Sequence, residues 1–253
     1  MRRQEGNTTM KDKTKIIFIY SSVAVLAIGL LVLFNWMGQQ RKKMAEESER
    51  KRIENLAAQV ETVPMMQDLD HQLTQDLRGV NQDGEEVGLF DLKGKAIVFA
   101  QFYSRCNMCL GHNKTIMQEL HEELKDNPKV HFVTVTLDPE FDTPEKLKQS
   151  AEVWNANSKS WWMLNVPKDE LVRYCREQLW YIDFKENANK TSASDAITHD
   201  MGIAVIDTNS KLRAKENLFE LLANDKHDLY QAKKSQLLDM IDVAIGEAGE
   251  ASE

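Results

Sequence analysis

Strand-like and helix-like patterns of apolar residues alternate along the chain from about residue 68. Residues 96–102 and 130–137 are short apolar runs, the second rich in β-branched residues, which favours strands buried on both faces. The segment between them carries apolar residues at the spacing of one helix face: Leu110, Met117, Leu120 and Leu124. The two runs and the helix between them predict a βαβ unit.

The alternation continues toward the C-terminus. Thr143 is typical of a helix N-cap and Pro144 of a first helical position, so a second helix is expected to begin there. Further elements are predicted as a short strand at 161–164, a helix at 167–179, a strand, turn and strand over 203–213, and a helix at 229–245. Together they predict an α/β domain over 68–247, a central sheet flanked by helices, with a disordered tail at 248–253.

The N-terminal part of the chain has a different pattern. Residues 16–38 form an apolar run without a charge, long enough as a helix to cross a bilayer core of roughly 30 Å. A cleaved signal peptide is the alternative, but the run is long for one and no small-x-small pair ends it. We therefore predict an uncleaved transmembrane anchor at 16–38 that follows a short tail at 1–15.

Residues 39–67 are predicted to connect this anchor to the domain. Residues 39–60 contain no Gly or Pro and mix both charges, which favours a helix, and Val63-Pro64 breaks the pattern. Apolar positions are too few for a sustained heptad seam, so a charged, solvated helical stalk with a linker is favoured over a coiled coil.

Charge divides the chain in the same place. Residues 1–52 carry a net charge of +6, whereas residues 53–253 carry 21 Lys and Arg against 35 Asp and Glu, a net charge of −14. Nucleic-acid binding depends largely on Lys and Arg that neutralise phosphates, so the acidic domain excludes nucleic acid as a partner. Bases flank the apolar run on both sides, so their distribution does not predict its orientation.

The candidate chemistry is concentrated between the first strand and its helix. Cys106 and Cys109 are three residues apart at a predicted helix start, close enough to form a disulfide or to share a soft metal. The helix N-terminus favours a thiolate, and Arg105 is expected to add positive charge. Two buried, inert cysteines are the alternative. A four-cysteine zinc site is excluded because the chain has no second cysteine pair.

The third cysteine and the histidines are interpreted separately. Cys175 shares a helical stripe with Leu171 and Leu179, which predicts a packed, inert thiol. His199 precedes the strand at 203–207, where its loop could approach Cys106 and Cys109, and two sulfurs with one imidazole would suit copper. A loop histidine with local hydrogen bonds is the alternative. The remaining histidines comprise a weaker neighbour candidate, His112, and four expected to be solvated: His71, His121, His131 and His227.

Several of these segments together resemble the SCO/SenC family of membrane-anchored, thioredoxin-fold copper chaperones. The most specific block is Leu137-Asp138-Pro139-Glu140-Phe141-Asp142-Thr143-Pro144, which is similar to the family's Asp-Pro and Asp-Thr-Pro signature. Further similar segments, which extend the resemblance over about residues 73–220, are residues 81–85 and 89–95, the cysteine lead-in 102–106, and Thr198-His199 before the strand.

This resemblance implies a thioredoxin-like fold and a role in copper delivery or copper-site thiol maintenance during cytochrome c oxidase assembly. It implies copper ligation by Cys106, Cys109 and His199, and a partner that is an oxidase subunit or another copper or thiol protein. It also implies a single-pass protein of the bacterial inner membrane with its N-terminus in the cytoplasm and its C-terminal domain in the periplasm.

The chain departs from the family pattern in its cysteine spacing, which is CxxC where the family usually has CxxxC. CxxC is the spacing of thioredoxin-like redox enzymes, so thiol-disulfide exchange remains an alternative, with Cys106 as the attacking and Cys109 as the resolving thiol. Two features disfavour related classes: Met201-Gly202 occupy the place of a reductase cis-proline, and Tyr103 that of a peroxiredoxin threonine. A tethered scaffold without either chemistry is the third alternative.

Overall fold

The computed structural model describes residues 20–21, 26, 28–51, 69–107, 109–181, 184–193 and 196–246; at residue 109 this covers the backbone alone. The chain forms two compact units, Met1–Ala58 and Gln59–Glu253. Several predicted segments lie outside the described residues: the tail at 1–15, residues 16–19, 22–25 and 27 of the apolar run, residues 52–67 of the stalk and linker, and the tail at 248–253.

In the first unit, residues 28–51 form helix α1. This helix contains the end of the apolar run and the first part of the predicted stalk. Within the described residues, no helix is both long enough and apolar enough to cross a membrane. Large apolar side chains of α1 are exposed, among them Leu31, Phe34 and Trp36. The anchor at 16–38 therefore stays a prediction.

The second unit is built on ten short strands and five α-helices within its described part. The strands are β1 (His71–Gln72), β2 (Arg78–Val80), β3 (Glu86–Gly88), β4 (Ala96–Phe102), β5 (Val130–Thr136), β6 (Trp161–Leu164), β7 (Lys185–Glu186), β8 (Ile197–Thr198), β9 (Ile203–Ile206) and β10 (Lys211–Glu216). The α-helices are α2 (Lys114–Leu124), α3 (Pro144–Trp154), α4 (Lys168–Gln178), α5 (Phe219–Ala223) and α6 (His227–Ala244).

Six of the strands form one mixed sheet in the order β1-β10-β9-β4-β5-β6. The pairs β4–β5 and β5–β6 are parallel, whereas β9 runs antiparallel to both β4 and β10. β2 pairs with β3 and β7 with β8 in two small antiparallel ladders. The central strand β4 thus lies between a parallel and an antiparallel neighbour, and this arrangement determines which loops meet at its end.

Helices cover both faces of this sheet. Every residue of β4 and β5 is buried, as expected for strands covered on both sides. The ring of Phe102 packs 5.2 Å from that of Trp154 in α3, and Phe99, on the opposite face, packs 6.1 Å from Tyr181 beyond α4. Each such fully buried aromatic contributes roughly 1.5–3 kcal/mol of transfer free energy to stability. The α/β fold class with flanking helices is confirmed.

Two histidines contradict the expectation that they are solvated. His121 is buried and its Nε2 lies 2.9 Å from Ser160 Oγ. His131 is only 2% exposed, its ring packs 4.6 Å from that of Trp162, and neither ring nitrogen has a hydrogen-bond partner among the described residues. Because β5 is buried on both faces, a polar residue in it has no solvated side to point to. Burial, together with the charge of Lys95, lowers the pKa of His131 to about 3.

We expect His131 to make the domain sensitive to acid. Its pKa is about 6.5 in the unfolded chain and lower in the folded one, so the unfolded state binds the extra proton as the pH falls below 6.5. Protonation of His131 in the unfolded chain should lower the free energy of unfolding by about 2 kcal/mol at pH 5 and should have no effect above pH 7. His131→Phe keeps the ring contact, and its stability should fall less steeply in urea titrations between pH 4.5 and 7.5. Parallel pH curves for the two proteins would contradict this assignment.

Candidate functional site

Three loops meet at one edge of the sheet because of the strand register. Phe102 of β4 is paired in parallel with Thr136 of β5, so the chain leaves both strands side by side. Ala100 of β4 is paired with Ile203 of the antiparallel β9, so the chain enters β9 at the same edge. We call these segments the cysteine loop (103–109), the aspartate loop (137–143) and the histidine loop (198–202).

The cysteine loop begins as a tight turn. The backbone N–H of Cys106 donates to the carbonyl of Tyr103 at 3.0 Å, and that of Leu110 donates to the carbonyl of Cys106 at 3.0 Å. Cys106 is disulfide-bonded and only 4% exposed. The following turn, Cys109–Asn113, is a π-helix and regular α-helix begins only at Lys114. The predicted helix is present, but its first turn is of the wider kind that recurs at functional sites.

The aspartate loop holds the cysteine loop through a buried carboxylate. Asp142 is fully buried. Its Oδ2 accepts hydrogen bonds from the backbone N–H of Ser104 at 3.0 Å and from the hydroxyl of Thr136 at 2.5 Å, and its Oδ1 accepts one from the hydroxyl of Ser104. One side chain therefore joins Ser104, two residues after the end of β4, to the last residue of β5.

A second carboxylate of this loop corrects the expected role of Arg105. The guanidinium of Arg105 forms an ion pair with Asp138, with Nε at 3.0 Å, and stacks 4.3 Å from the centre of the Phe141 ring. The charge of Arg105 is thus compensated by its nearest carboxylate instead of being directed at the cysteines. Lys146 lies on the same ring at 3.2 Å. The aspartate loop therefore fixes both residues that precede Cys106.

In the histidine loop, the hydrogen bonding of His199 selects one tautomer. His199 Nδ1 lies 2.8 Å from the backbone carbonyl oxygen of Asp200. A carbonyl only accepts, so Nδ1 carries the proton and the lone pair of the neutral ring is at Nε2. Burial lowers the pKa of His199, which favours this neutral form. Metal-ligating histidines usually donate their other N–H in this way, so His199 has the protonation of a ligand.

Tyr103 brings the histidine loop against the cysteine loop. Its ring packs edge-on at 5.9 Å from that of His199, and its hydroxyl donates to the carbonyl of Ile197 at 3.4 Å. The side chains of Cys106 and His199 thus lie on neighbouring loops that are joined through Tyr103. The approach of these two loops is expected from the strand order, and the convergence of the imidazole with the two thiols stays a prediction.

Other contacts fix the far side of the histidine loop. The hydroxyl of Tyr181 donates to the carbonyl of Gly202 at 2.8 Å. The carboxylate of Asp200 accepts from the backbone N–H of Gly202 at 2.8 Å and pairs with Lys215 of β10 at 3.0 Å. Because both ends of the loop are held by buried or partly buried groups, the position of His199 is set by the sheet.

The remaining predicted site residues are placed as follows. The side chain of Cys109 lies outside the described residues, and among the side chains that are described no three Cys, His, Asp or Glu residues form a group able to hold a metal. The set Cys106, Cys109 and His199 therefore stays a prediction. His112 is exposed and its ring packs 5.5 Å from that of Phe219 in α5.

Cys175 has the structure expected of an inert thiol. It is free, 2% exposed, and burial raises its pKa to about 12. A thiol with so high a pKa forms almost no thiolate near neutral pH, so it is a poor nucleophile and metal ligand.

Sequence reasoning missed the residues that support the site. Asp138 and Asp142 were noted for their similarity to a family signature, but nothing in a single sequence indicates that they bind Arg105 and Ser104. Tyr181 carries no motif at all, and its hydrogen bond to Gly202 joins segments that are separated by a region without regular pattern.

Comparison with known proteins identifies a family and similar folds. A family model described as SCO1/SenC matches residues 66–224. A SCO1 protein homolog of Bacillus subtilis is 24% identical over 134 residues, which cover 52% of this chain and 67% of that protein. The crystal structure of a SCO1/SenC family lipoprotein from Bacillus anthracis has a TM-score of 0.53 at 23% identity and covers 64% of this chain and 96% of its own. A putative electron transport protein from Aquifex aeolicus has a TM-score of 0.51 at 20% identity, over 70% and 99% of the two chains.

Proposed function

Because this chain belongs to the SCO1/SenC family, we propose that it binds copper, maintains copper-site thiols, or does both during cytochrome c oxidase assembly. The observation that carries the proposal is the meeting of the cysteine loop and the histidine loop through Tyr103, with His199 in the tautomer of a ligand. The proposed partner is an oxidase subunit or another copper or thiol protein.

The donor types present at this edge suit copper as the cargo. Thiolate sulfur is a soft ligand that selects Cu(I), and imidazole nitrogen binds both Cu(I) and Cu(II). Cys106 and Cys109 would supply the sulfurs and His199 Nε2 the nitrogen. The hydrogen bond from Nδ1 to the carbonyl of Asp200 would keep the imidazole oriented when the metal leaves, so that delivery requires little rearrangement of this loop.

A specific observation favours a second candidate function, thiol-disulfide exchange: Cys106 is disulfide-bonded. In the reduced chain the Cys106 thiolate would attack a disulfide sulfur of the partner and release one partner thiolate. The Cys109 thiolate would then attack the Cys106 sulfur and release the second. The partner gains two electrons and becomes a dithiol, and the chain ends as a disulfide.

Anaerobic Cu(I) titration of the reduced full chain separates the two functions. The copper-binding function predicts one copper per chain in competition with a chromogenic Cu(I) chelator. A chain that binds no copper but reduces a partner disulfide would support exchange alone.

We also propose that residues 16–38 anchor the protein in the inner membrane of a bacterium, with the C-terminal domain in the periplasm. The uncharged sequence of this run and the exposed apolar side chains of α1 support an anchor. The placement follows from the proposed oxidase partner and from disulfide chemistry, which persists outside the cytoplasm.

This topology makes a direct prediction for spheroplasts. Added protease should digest the domain at 68–253, because it would be outside the membrane, and should leave the tail at 1–15 protected. Immunoblots against tags at the two termini would measure this, with detergent-lysed cells as the control in which both tags are lost. Protection of the C-terminal tag in intact spheroplasts would reverse the orientation.

A further inference from the structure

We propose that Asp142 is a positioning residue of the cysteine loop and acts on Cys106 through Ser104. The side chain of Asp142 is fully buried at the point where the chain leaves β4 and β5. It joins two loops that are more than thirty positions apart in sequence. The inference deepens the proposed function, because it concerns the same cysteine, but its test contains no metal.

Neutral donors hold the carboxylate of Asp142. The backbone N–H and the hydroxyl of Ser104 and the hydroxyl of Thr136 donate to its two oxygens. Within the described residues no lysine or arginine pairs with it, since the neighbouring Arg105 is directed to Asp138. A buried carboxylate without a counterion is tolerated only while its hydrogen bonds are made, so Ser104 is strongly constrained.

Hydrogen bonds of the Asp142 main chain hold its carboxylate in place. The N–H of Asp142 donates to the carbonyl of Asp138 at 2.8 Å. Its carbonyl accepts a hydrogen bond from Nδ2 of Asn165, also at 2.8 Å, and the same amide group donates to Pro139. Asn165 directly follows β6, so these hydrogen bonds fix the backbone of Asp142 to the end of that strand. Asp142 in turn fixes the position of Ser104.

Ser104 is the second residue of the turn that ends at Cys106. The turn closes with the N–H of Cys106 on the carbonyl of Tyr103, so Ser104 lies inside it. Cys106 is disulfide-bonded in this conformation. The proposal requires this network to be stronger in the disulfide form than in the dithiol, whose two sulfurs need not stay within bonding distance. Removal of the network should then shift the equilibrium toward the dithiol.

The test is the equilibrium of the full chain with glutathione, in which one protein disulfide and two glutathione thiols give one protein dithiol and one glutathione disulfide. Ser104→Ala removes the hydroxyl and should shift the equilibrium constant of this reaction about fivefold toward the dithiol. A shift of this size corresponds to the loss of one ordinary hydrogen bond. Ser104→Thr keeps the hydroxyl and should restore the wild-type constant. Asp142→Asn should shift the equilibrium constant further toward the dithiol. If Asp142→Asn does not fold, the result for Ser104→Ala alone tests the proposal.

Asp207 offers a control of similar burial. Its Oδ1 accepts from the N–H groups of Asn209 and Lys211 at 2.9 Å and its Oδ2 pairs with Arg213 at 3.3 Å, at the opposite end of β9 from His199. Asp207→Asn should lower the melting temperature as Asp142→Asn does and leave the glutathione constant unchanged. The proposal is overturned if Ser104→Ala leaves the constant unchanged or if Asp207→Asn shifts it equally. Failure of the chain to bind copper would refute the proposed copper-binding function without affecting this measurement.

Discussion

Cys106→Ser should abolish Cu(I) binding by the reduced full chain, whereas Cys175→Ser should leave one copper bound per chain. A serine hydroxyl is neither soft nor deprotonated at neutral pH, so it cannot replace a thiolate on Cu(I). Cys175 is the matched control because it is the same residue type in the same domain, yet it is buried in α4 with its pKa raised to about 12. Cys109→Ser should behave as Cys106→Ser does.

His199→Ala should weaken Cu(I) binding without abolishing it, because two thiolates remain. Loss of a histidine ligand is expected to lower the affinity for Cu(I) by on the order of 100-fold. Mutation of a residue that only supports a ligand lowers metal affinity by up to about this factor, and a ligand itself should matter at least as much. Competition with a chromogenic Cu(I) chelator under anaerobic conditions measures all four variants. Wild-type affinity in Cys106→Ser would exclude this cysteine as a ligand and with it the copper site proposed for this edge.

The central sheet was predictable because its strands and helices each have a strong local pattern. β4 and β5 are short segments in which apolar and β-branched residues predominate, and α3 begins at Thr143-Pro144 as its sequence indicates. The short strands β1, β7 and β8 have two residues each, and two residues cannot establish a period. They form where long-range pairing supplies the stability, as β1 does on β10, and a local pattern contains no such information.

The supporting residues of the site were harder to predict for a physical reason. An aspartate after a strand is usually solvated, and Asp142 is buried only because the parallel register brings Ser104 and Thr136 to it. The same applies to Arg105, whose charge appears available in the sequence until Asp138 is seen beside it. Residue types and spacing therefore indicate where the chemistry is expected, whereas the contacts that support those residues depend on tertiary structure.

A reversible disulfide between Cys106 and Cys109, with Cys175 reduced throughout, is the second large effect that we expect. CxxC sulfurs on adjacent turns are close enough to pair, and Cys106 is already disulfide-bonded, whereas Cys175 is a free thiol that its burial shields from solvent and from oxidants. Copper should compete with oxidation, because a thiolate that ligates Cu(I) is not available to form a disulfide. Cu(I) should therefore protect both motif thiols from a mild oxidant, and the oxidised chain should lose thiolate-dependent copper binding.

Differential alkylation followed by mass spectrometry measures this directly. The native oxidised chain should yield a peptide linked through Cys106 and Cys109, and Cys175 should be alkylated only after unfolding. Cys175→Ser is the control, since it should give the same linked peptide and the same protection by copper. If Cys175 is found paired with either motif cysteine in the native protein, then neither the packing of α4 nor the geometry proposed for the cysteine loop is correct, because a buried thiol on α4 would have had to reach the edge where β4 ends.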